Sequence, residues 1–233
     1  MPYYIGLGVL STYPQQRRDR QELLHHEAMR ILGCLDERPL LTEHDIARDK
    51  GGRPFFSGPG DADFSISHSG SLAAVSLTRG KNSRTSCDVE MLRKRSRAEG
   101  IAESFFTYSE NQYIISNGRF SITRFYEIWT LKECYLKLHS LSVLDMVRAP
   151  SFISSNGAGE PHFEFNGLVS APLTFSLWEL SGGAGEGYIM AAAIEGVLEE
   201  AEIRWFTQDP FFCRSIAKIK APLSPAETVR PKM

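Results

Sequence analysis

The sequence lacks a strong net charge of either sign, and this narrows the range of partners. In the 233-residue chain, 26 Lys and Arg residues nearly balance 28 Asp and Glu residues, which gives a net charge of -2. Such a chain has no overall basic field with which to hold a nucleic-acid backbone. We therefore expect no nucleic-acid partner, and any anionic ligand must be bound by a local group of side chains.

The sequence also lacks clustered cysteines and long apolar runs. Its four cysteines are widely spaced, with no C-x-x-C pair and no Cys/His spacing typical of zinc sites, so we expect reduced thiols. No apolar run approaches the roughly 18 residues that cross a bilayer. The basic residues near the N-terminus follow its apolar run, whereas a signal peptide has them in front. The sequence predicts a cytoplasmic protein without a membrane partner.

The order of periodic segments predicts an α+β fold. We expect two similar α/β halves in a pseudo-two-fold arrangement, each a small antiparallel sheet packed with helices. The halves are predicted at residues 1–100 and 101–206, followed by a partly disordered C-terminal extension at 207–233. The main predicted helices are residues 15–32, ended by Gly33, a short one beginning near Thr42, and 96–106, 109–116 and 120–138; the main strands are 3–9, 64–67, 73–78, 85–90, 163–165, 173–180 and 188–194.

Two carboxylates share one predicted strand. Asp88 and Glu90 are two residues apart, so their side chains point to one face while Cys87 and Val89 point to the other. Paired carboxylates on a rigid strand supply part of a magnesium site and leave room for water and a substrate phosphate. Exposed strands commonly carry alternating carboxylates, so this pattern alone favours a solvated surface and needs support from elsewhere in the chain.

A third acid lies on the predicted helix around residues 124–139, which is apolar over most of its surface. Trp129, Glu133 and Lys137 recur at intervals of four and therefore share one face, with Lys132 beside them. An exposed Glu–Lys pair worth a few tenths of a kcal/mol is the structural alternative.

Two further segments contain possible phosphate ligands. The segment FSISHSG at residues 64–70 places Ser67 and His68 at a strand end, where backbone and side-chain donors can receive a phosphate oxygen. A histidine in such a turn is more often a solvated surface residue. The pair Arg53-Pro54, after two glycines, carries little information alone.

In this order, FSISHSG, DVE and W-x-x-K-E-x-x-x-K resemble the long, pseudo-dimeric 4'-phosphopantetheinyl transferases of the surfactin-synthetase-activating type. The resemblance covers residues 51–141 and includes Phe105, Phe106 and Glu110 in the family's FF-x-x-x-E stretch. It implies transfer of 4'-phosphopantetheine from coenzyme A to a serine of an acyl or peptidyl carrier protein, with magnesium and release of 3',5'-ADP. Because a site between two halves of one chain needs no second subunit, the resemblance also implies a monomer.

The resemblance implies a role for each matching residue. Asp88, Glu90 and Glu133 would bind magnesium, and Glu133 would instead or also deprotonate the serine. The catalytic group would then be Glu133, Lys132 and Asp88. The groups that would contact coenzyme A are Arg53, Pro54, Ser67, His68, Lys132, Lys137 and Arg20.

The sequence departs from the family pattern at two places, and alternative functions remain to be considered. Ser86 stands where the family has a glycine before the metal aspartate, and residues 139–141 replace a Gly-x-Gly stretch. We expect these changes to affect the substrate channel more than the metal site. The alternatives are another magnesium-dependent phosphohydrolase or nucleotidyl transferase, and a non-catalytic homologue that binds coenzyme A or a carrier. If the basic first helix faces the carrier, Arg17 and Arg18 favour an acidic partner.

Overall fold

The computed structural model describes residues 3–10, 16–38, 41–155, 161–181, 185–196, 203–207 and 212–222. The helices are α1 (Arg17–Leu35), α2 (Ala98–Phe105), α3 (Tyr108–Ile114) and α4 (Ile122–Leu138), with short 3-10 helices at Glu43–Asp45 and Val143–Arg148. The strands are β1 (Tyr3–Val9), β2 (Ile46–Arg48), β3 (Pro54–Phe56), β4 (Ala62–Ser69), β5 (Leu72–Arg79), β6 (Arg84–Met91), β7 (Ile115–Ser116), β8 (Arg119–Phe120), β9 (Ser151–Ser155), β10 (Pro161–Asn166), β11 (Leu173–Ser181), β12 (Gly187–Glu195), β13 (Ile203–Thr207) and β14 (Phe212–Lys220).

Two four-stranded sheets form the centre of the fold. The first has the strand order β13-β1-β5-β4 and the second β14-β11-β12-β6; β2 with β3, β7 with β8, and β9 with β10 form two-stranded sheets. Neighbouring strands are antiparallel except β13, which pairs parallel to β1. β4 and β6 are therefore edge strands of the two main sheets, and both border the site described below.

Three apolar clusters hold these layers together. Side chains from both main sheets, among them Ile5, Val89 and Met190, form one core between the sheets. α1 packs on the first sheet through residues such as Ile31. α4 packs on the second sheet through residues such as Leu131. The α+β class is confirmed, whereas the pseudo-two-fold relation between the halves stays a prediction.

The strand pairings cross the predicted domain boundaries. β6 lies before residue 100 but pairs with β12 of the second sheet, and β13 lies in the predicted second half but pairs with β1 of the first. The predicted extension contains β14, which pairs with β11 over nearly its whole length. The predicted extension therefore contains an ordered strand at residues 212–220, and its partial disorder stays a prediction. Residues 223–233 lie outside the described residues.

The sequence misplaced some helix ends by a turn or less. Gly33 does not end α1: the helix continues to Leu35, and a Cβ on Gly33 would lie 2.7 Å from the carbonyl oxygen of Arg38. The chain returns there, since the Arg38 amide donates to the Gly33 carbonyl at 2.8 Å. Glycine is thus required for close backbone approach. At α3 the N-cap is Thr107, whose hydroxyl accepts from the Glu110 amide, and not Ser109.

The thiols are free, as the cysteine spacing predicts. Cys34 and Cys213 are exposed, and Cys87 and Cys134 are buried. Among the described residues, no helix combines the length and the apolar character needed to span a membrane.

Candidate active site

A cavity of about 560 Å³ follows the line where the edge strands β4 and β6 lie side by side. The backbone amides of Val89 and Met91 donate to the hydroxyls of Ser67 and Ser69 at 3.3 and 3.1 Å. The two sheets are therefore joined here through serine side chains of β4. Helix α4 contributes Trp129, Glu133 and Lys137 to the same cavity.

Asp88 lies at the centre of this cavity wall. Its Oδ1 accepts hydrogen bonds from Ser67 Oγ at 2.8 Å and from Lys137 Nζ at 2.7 Å. Its Oδ2 is buried and has no hydrogen-bond partner. A buried carboxylate oxygen without a partner is costly, so a ligand at this oxygen would stabilise the site.

Glu90 lies two residues along β6, on the face predicted from strand alternation. Its Oε2 accepts from Ser69 Oγ at 2.7 Å. Burial raises the pKa of Glu90, and the negative charge of Asp88 raises it further. The two carboxylates thus interact electrostatically within one wall of the cavity.

Glu133 faces the same carboxylates from α4. Burial, and then the negative charges of Asp88 and Glu90, raise its pKa to about 7, although Lys137 acts in the opposite direction. A carboxylate with a pKa near neutrality can accept a proton efficiently at physiological pH. Glu133 therefore has the electrostatic setting of a general base, and its oxygens are also suitable for a hard cation.

Lys137 and His68 have different charge states at neutral pH. Burial acts to lower the pKa of Lys137, but the adjacent carboxylate of Asp88 and other groups outweigh it, so the net shift is upward and the ammonium stays charged. Burial, with a contribution from Lys137, lowers the pKa of His68. Beside the carboxylates, the cavity therefore offers the positive charge of Lys137 and the neutral imidazole of His68.

The three predicted metal ligands line one cavity, but they do not form a closed metal cage. Within the described part of the chain, no three His, Cys, Asp or Glu side chains are gathered closely enough to hold an ion by themselves. Magnesium usually takes one or two protein carboxylates and completes its octahedron with water and substrate phosphate. The unpartnered oxygen of Asp88 and the nearby Glu90 and Glu133 fit that manner of binding.

Lys132 does not reach the cavity, although the sequence suggested a catalytic and phosphate-binding role. Its side chain is fully buried, and its Nζ lies 3.1 Å from Glu110 Oε2, which is equally buried. It also donates to the carbonyls of Ala149 and Pro150 at 3.5 and 3.4 Å. The physical reason is its helix face: Lys132 is turned from the face of Glu133 toward α3 and the following loop.

Arg53 lines the cavity, but its guanidinium already donates hydrogen bonds to other groups of the protein. It donates to the carbonyls of Lys137 and Thr85 at 2.6 and 2.7 Å and to the carboxylate of Asp63 at 2.5 Å. These partners lie on α4, β6 and β4, so Arg53 ties together the three elements that carry the site. The expected contact of its guanidinium with coenzyme A would compete with these bonds.

The other expected contacts with coenzyme A fall into two groups. His68 and Pro54 line the cavity, as does Ser67, whose hydroxyl is already used by Asp88. Arg20 lies in the first turn of α1. Among the described residues of this helix, His25 lines the cavity and Arg20 does not.

The comparisons with known proteins agree with this geometry. Residues 86–193 match the sequence profile of the 4'-phosphopantetheinyl transferase superfamily. The chain is also similar to the 4'-phosphopantetheinyl transferases AcpT of Salmonella typhimurium and Salmonella typhi. Each is 29% identical over 160 residues, which is 66% of this chain and 82% of the relative.

Over residues 86–193 the chain is therefore similar to the 4'-phosphopantetheinyl transferase superfamily.

The superfamily match begins in β6 and ends in β12, so it contains all three acids and Lys137. Arg53, Ser67 and His68 precede it and come from the part of the chain that forms the first sheet. In this chain the cavity is thus completed by residues outside the matched segment.

Ser86, the first departure from the family pattern, does not line the cavity. Ser86 is fully buried and donates to the carbonyl of Cys134 at 2.8 Å. Because Ser86 is two residues from Asp88 and Cys134 follows Glu133, this bond fixes β6 against α4 near two of the acids.

The second departure, after α4, has a conformational explanation. Ser140 has a φ of 56°, the left-handed conformation that glycine usually supplies at this helix position. The Leu141 amide donates to the Leu136 carbonyl at 2.9 Å and the Ser140 amide to Lys137 at 3.3 Å, which is a Schellman C-cap. Ser140 Oγ donates to Asp49 at 2.6 Å. The chain therefore forms with a serine the left-handed turn that glycine usually supplies.

His25 and Arg48 both line the cavity, although the sequence did not identify them as cavity residues. Arg48 is exposed and its Nη1 donates to the Gly52 carbonyl at 2.9 Å. A signal was present for Arg48, since it precedes the glycine pair that the sequence singled out. His25 lies in a helix whose orientation relative to β4 is not visible from local sequence.

Proposed function

We propose that the protein transfers the 4'-phosphopantetheine group of coenzyme A to a serine of an acyl or peptidyl carrier protein and releases 3',5'-ADP. Similarity to the 4'-phosphopantetheinyl transferase superfamily supports the reaction class. The observation that carries the proposal for this chain is the convergence of Asp88, Glu90, Glu133 and Lys137 on one cavity large enough for part of a nucleotide.

The residues of the cavity suit the bond changes of this reaction. The serine oxygen forms a bond to the phosphorus that bears pantetheine, and the bond from that phosphorus to the bridging pyrophosphate oxygen breaks. Glu133, with a pKa of about 7, accepts the serine proton. Lys137 holds a positive charge beside the phosphates, and His68 supplies a neutral hydrogen-bond donor. The leaving group carries the second phosphate away as 3',5'-ADP.

Asp88 and Glu90 would hold magnesium, with Glu133 as a further ligand or as the base alone. A bound magnesium ion would neutralise charge on the pyrophosphate that is cleaved. Support comes from the donor chemistry and from the buried Oδ2 of Asp88, which has no hydrogen-bond partner.

We also propose that the enzyme acts as a monomer in the cytoplasm. Both walls of the cavity come from one chain, so a second subunit is not needed to complete it. The four free thiols favour a reducing compartment. The proposed contact of Arg17 and Arg18 with an acidic carrier stays a prediction, tested by whether their reversal to Glu slows carrier modification without changing coenzyme A binding.

Substitution of the acids tests the proposal. Asp88→Ala and Glu133→Ala should nearly abolish transfer to an apo carrier domain while circular dichroism and unfolding midpoint stay close to the wild type. Lys81→Ala, at an exposed turn, is the matched control. Full transfer activity in either acid variant would contradict the site. Product release without any acceptor would favour a hydrolase, and coenzyme A binding without transfer would favour a binding protein.

A further inference from the structure

A second cavity, of about 400 Å³, adjoins the first. It is lined by Glu90, Arg93, Lys94, Arg95, Ser96 and Tyr126. Glu90 also lines the first cavity, so the two share a wall at the C-terminal end of β6. The cations come from residues 93–97, which we call the basic segment.

The basic segment carries a local positive charge that the chain as a whole does not have. Four of its five residues are Arg or Lys, whereas the net charge of the protein is -2. Arg93, Lys94 and Arg97 are exposed. The nearest acid that follows in sequence is Glu99, also exposed, so the segment keeps a strong positive excess.

The basic segment is held firmly at the cavity edge. The guanidinium of Arg95 lies 4.8 Å from the ring centroid of Trp129, which lines the first cavity. Tyr126 on α4 donates its hydroxyl to the Arg93 carbonyl at 3.3 Å. The exposed cations are therefore presented from a backbone fixed to α4, next to Glu90.

The first cavity has two distinct ends. Arg53 and Ser140 lie where β6 begins and α4 ends, whereas Glu90 and Trp129 lie where β6 ends. The two proposed substrates must both reach the central carboxylates. If coenzyme A occupies the end near Arg53, the acceptor serine approaches from the end that the basic segment borders.

We propose that the basic segment is the docking surface for the acceptor protein, and that this partner carries acidic side chains around its acceptor serine. The inference rests on the proposed function, because that function requires a protein acceptor. Charge complementarity at a fixed, exposed surface raises the rate of encounter and orients the partner. The surface would thus select acidic carriers.

The test reverses two exposed charges that line the second cavity and changes no residue that lines the first. In the variant R93E/K94E, Arg95 is kept because it contacts Trp129. The control is K81E/R119E, which reverses two exposed cations that line neither cavity. Lys81 precedes β6 and Arg93 follows it, and a strand of eight residues separates such positions by roughly 26 Å.

Two readouts separate docking from chemistry. The first is KM for an apo carrier domain with an acidic serine-bearing surface, measured beside KM for coenzyme A. We expect R93E/K94E to raise the carrier KM on the order of tenfold or more, with the coenzyme A KM and the control variant unchanged. R93Q/K94Q should give a smaller increase, and its effect should shrink as sodium chloride is raised.

The second readout is binding of a fluorescently labelled apo carrier in the absence of coenzyme A. Weaker carrier binding to R93E/K94E than to K81E/R119E would support the docking surface, even if no transfer were seen. In that case the absence of transfer would count against the proposed function alone. An unchanged carrier KM and unchanged binding for R93E/K94E would overturn the inference. Equal loss in the control variant would overturn it as well.

Discussion

Replacing Lys132 with methionine should destabilise the fold and leave coenzyme A affinity unchanged. Lys132 is fully buried and paired with the buried Glu110 at 3.1 Å. Removing one partner of a buried ion pair typically costs about 3–5 kcal/mol. Glu110 would retain two backbone donors, the Thr107 amide at 2.8 Å and the Phe152 amide at 3.0 Å, so we expect the lower end of that range.

A loss of about 3 kcal/mol corresponds to a fall in Tm of roughly 6–12 °C for a chain of this size. Urea unfolding followed by circular dichroism measures the free energy directly. Lys81→Met, at an exposed turn, should change it by less than about 0.5 kcal/mol. The double variant E110Q/K132M should be more stable than the sum of the single effects predicts, because it removes both charges together.

Calorimetric titration with coenzyme A provides the result that would refute the assignment. The assignment would be refuted if Lys132→Met had wild-type stability but bound coenzyme A at least about tenfold more weakly, a loss of about 1.4 kcal/mol in binding free energy. Such a result would mean that Lys132 reaches the substrate. The buried pair with Glu110 would then not describe the working enzyme.

Two further predictions concern the end of α4. Ser140→Gly should be more stable than Ser140→Ala by about 1 kcal/mol in urea unfolding, because both variants lose the bond to Asp49 and the left-handed conformation penalises only alanine; equal stabilities would contradict the turn. His139 has a pKa lowered by burial, and its Nε2 is buried without a hydrogen-bond partner. The unfolded state therefore binds more protons just below pH 6.5, so stability falls as the pH drops through that range, and His139→Phe should reduce this fall. An unchanged pH dependence in that variant would show that His139 does not titrate on unfolding.

Local sequence patterns account for how the acids are paired within their elements, while their roles as ligands or base stay predictions. Strand alternation alone puts Asp88 and Glu90 on one face, and helical periodicity puts Glu133 and Lys137 on another single face. The structure brings these two faces to one cavity. Local periodicity was sufficient because each pair lies within one regular element.

The roles of Lys132, Arg53 and Ser67 could not be predicted in the same way. Lys132 pairs with Glu110, which is 22 positions away, and Arg53 binds groups on three separate elements. A charged residue in a recognised motif suggests a ligand, but its burial depends on which distant residue neutralises it. These partners become visible only when the elements are packed.

The strand pairings between the halves were also beyond local sequence. β13 reaches back to pair parallel with β1, and β6 leaves the first half to pair with β12. Such pairings depend on long-range packing, while periodicity identifies only that a strand exists. The division at residue 100 followed from element order, which does not identify the pairing partner of a strand, and it stays a prediction.

Intact-protein mass spectrometry of an apo carrier domain tests the central claim most directly. The carrier is incubated with coenzyme A, magnesium and either wild-type protein or the Glu133→Ala variant. We expect the wild type to add one phosphopantetheine group to the carrier serine and to release 3',5'-ADP in equal amount, while Glu133→Ala adds almost none. The account would be contradicted if several apo carrier domains all stayed unmodified after incubation with the wild type. In that case the wild type would either bind coenzyme A without transfer or cleave it without an acceptor.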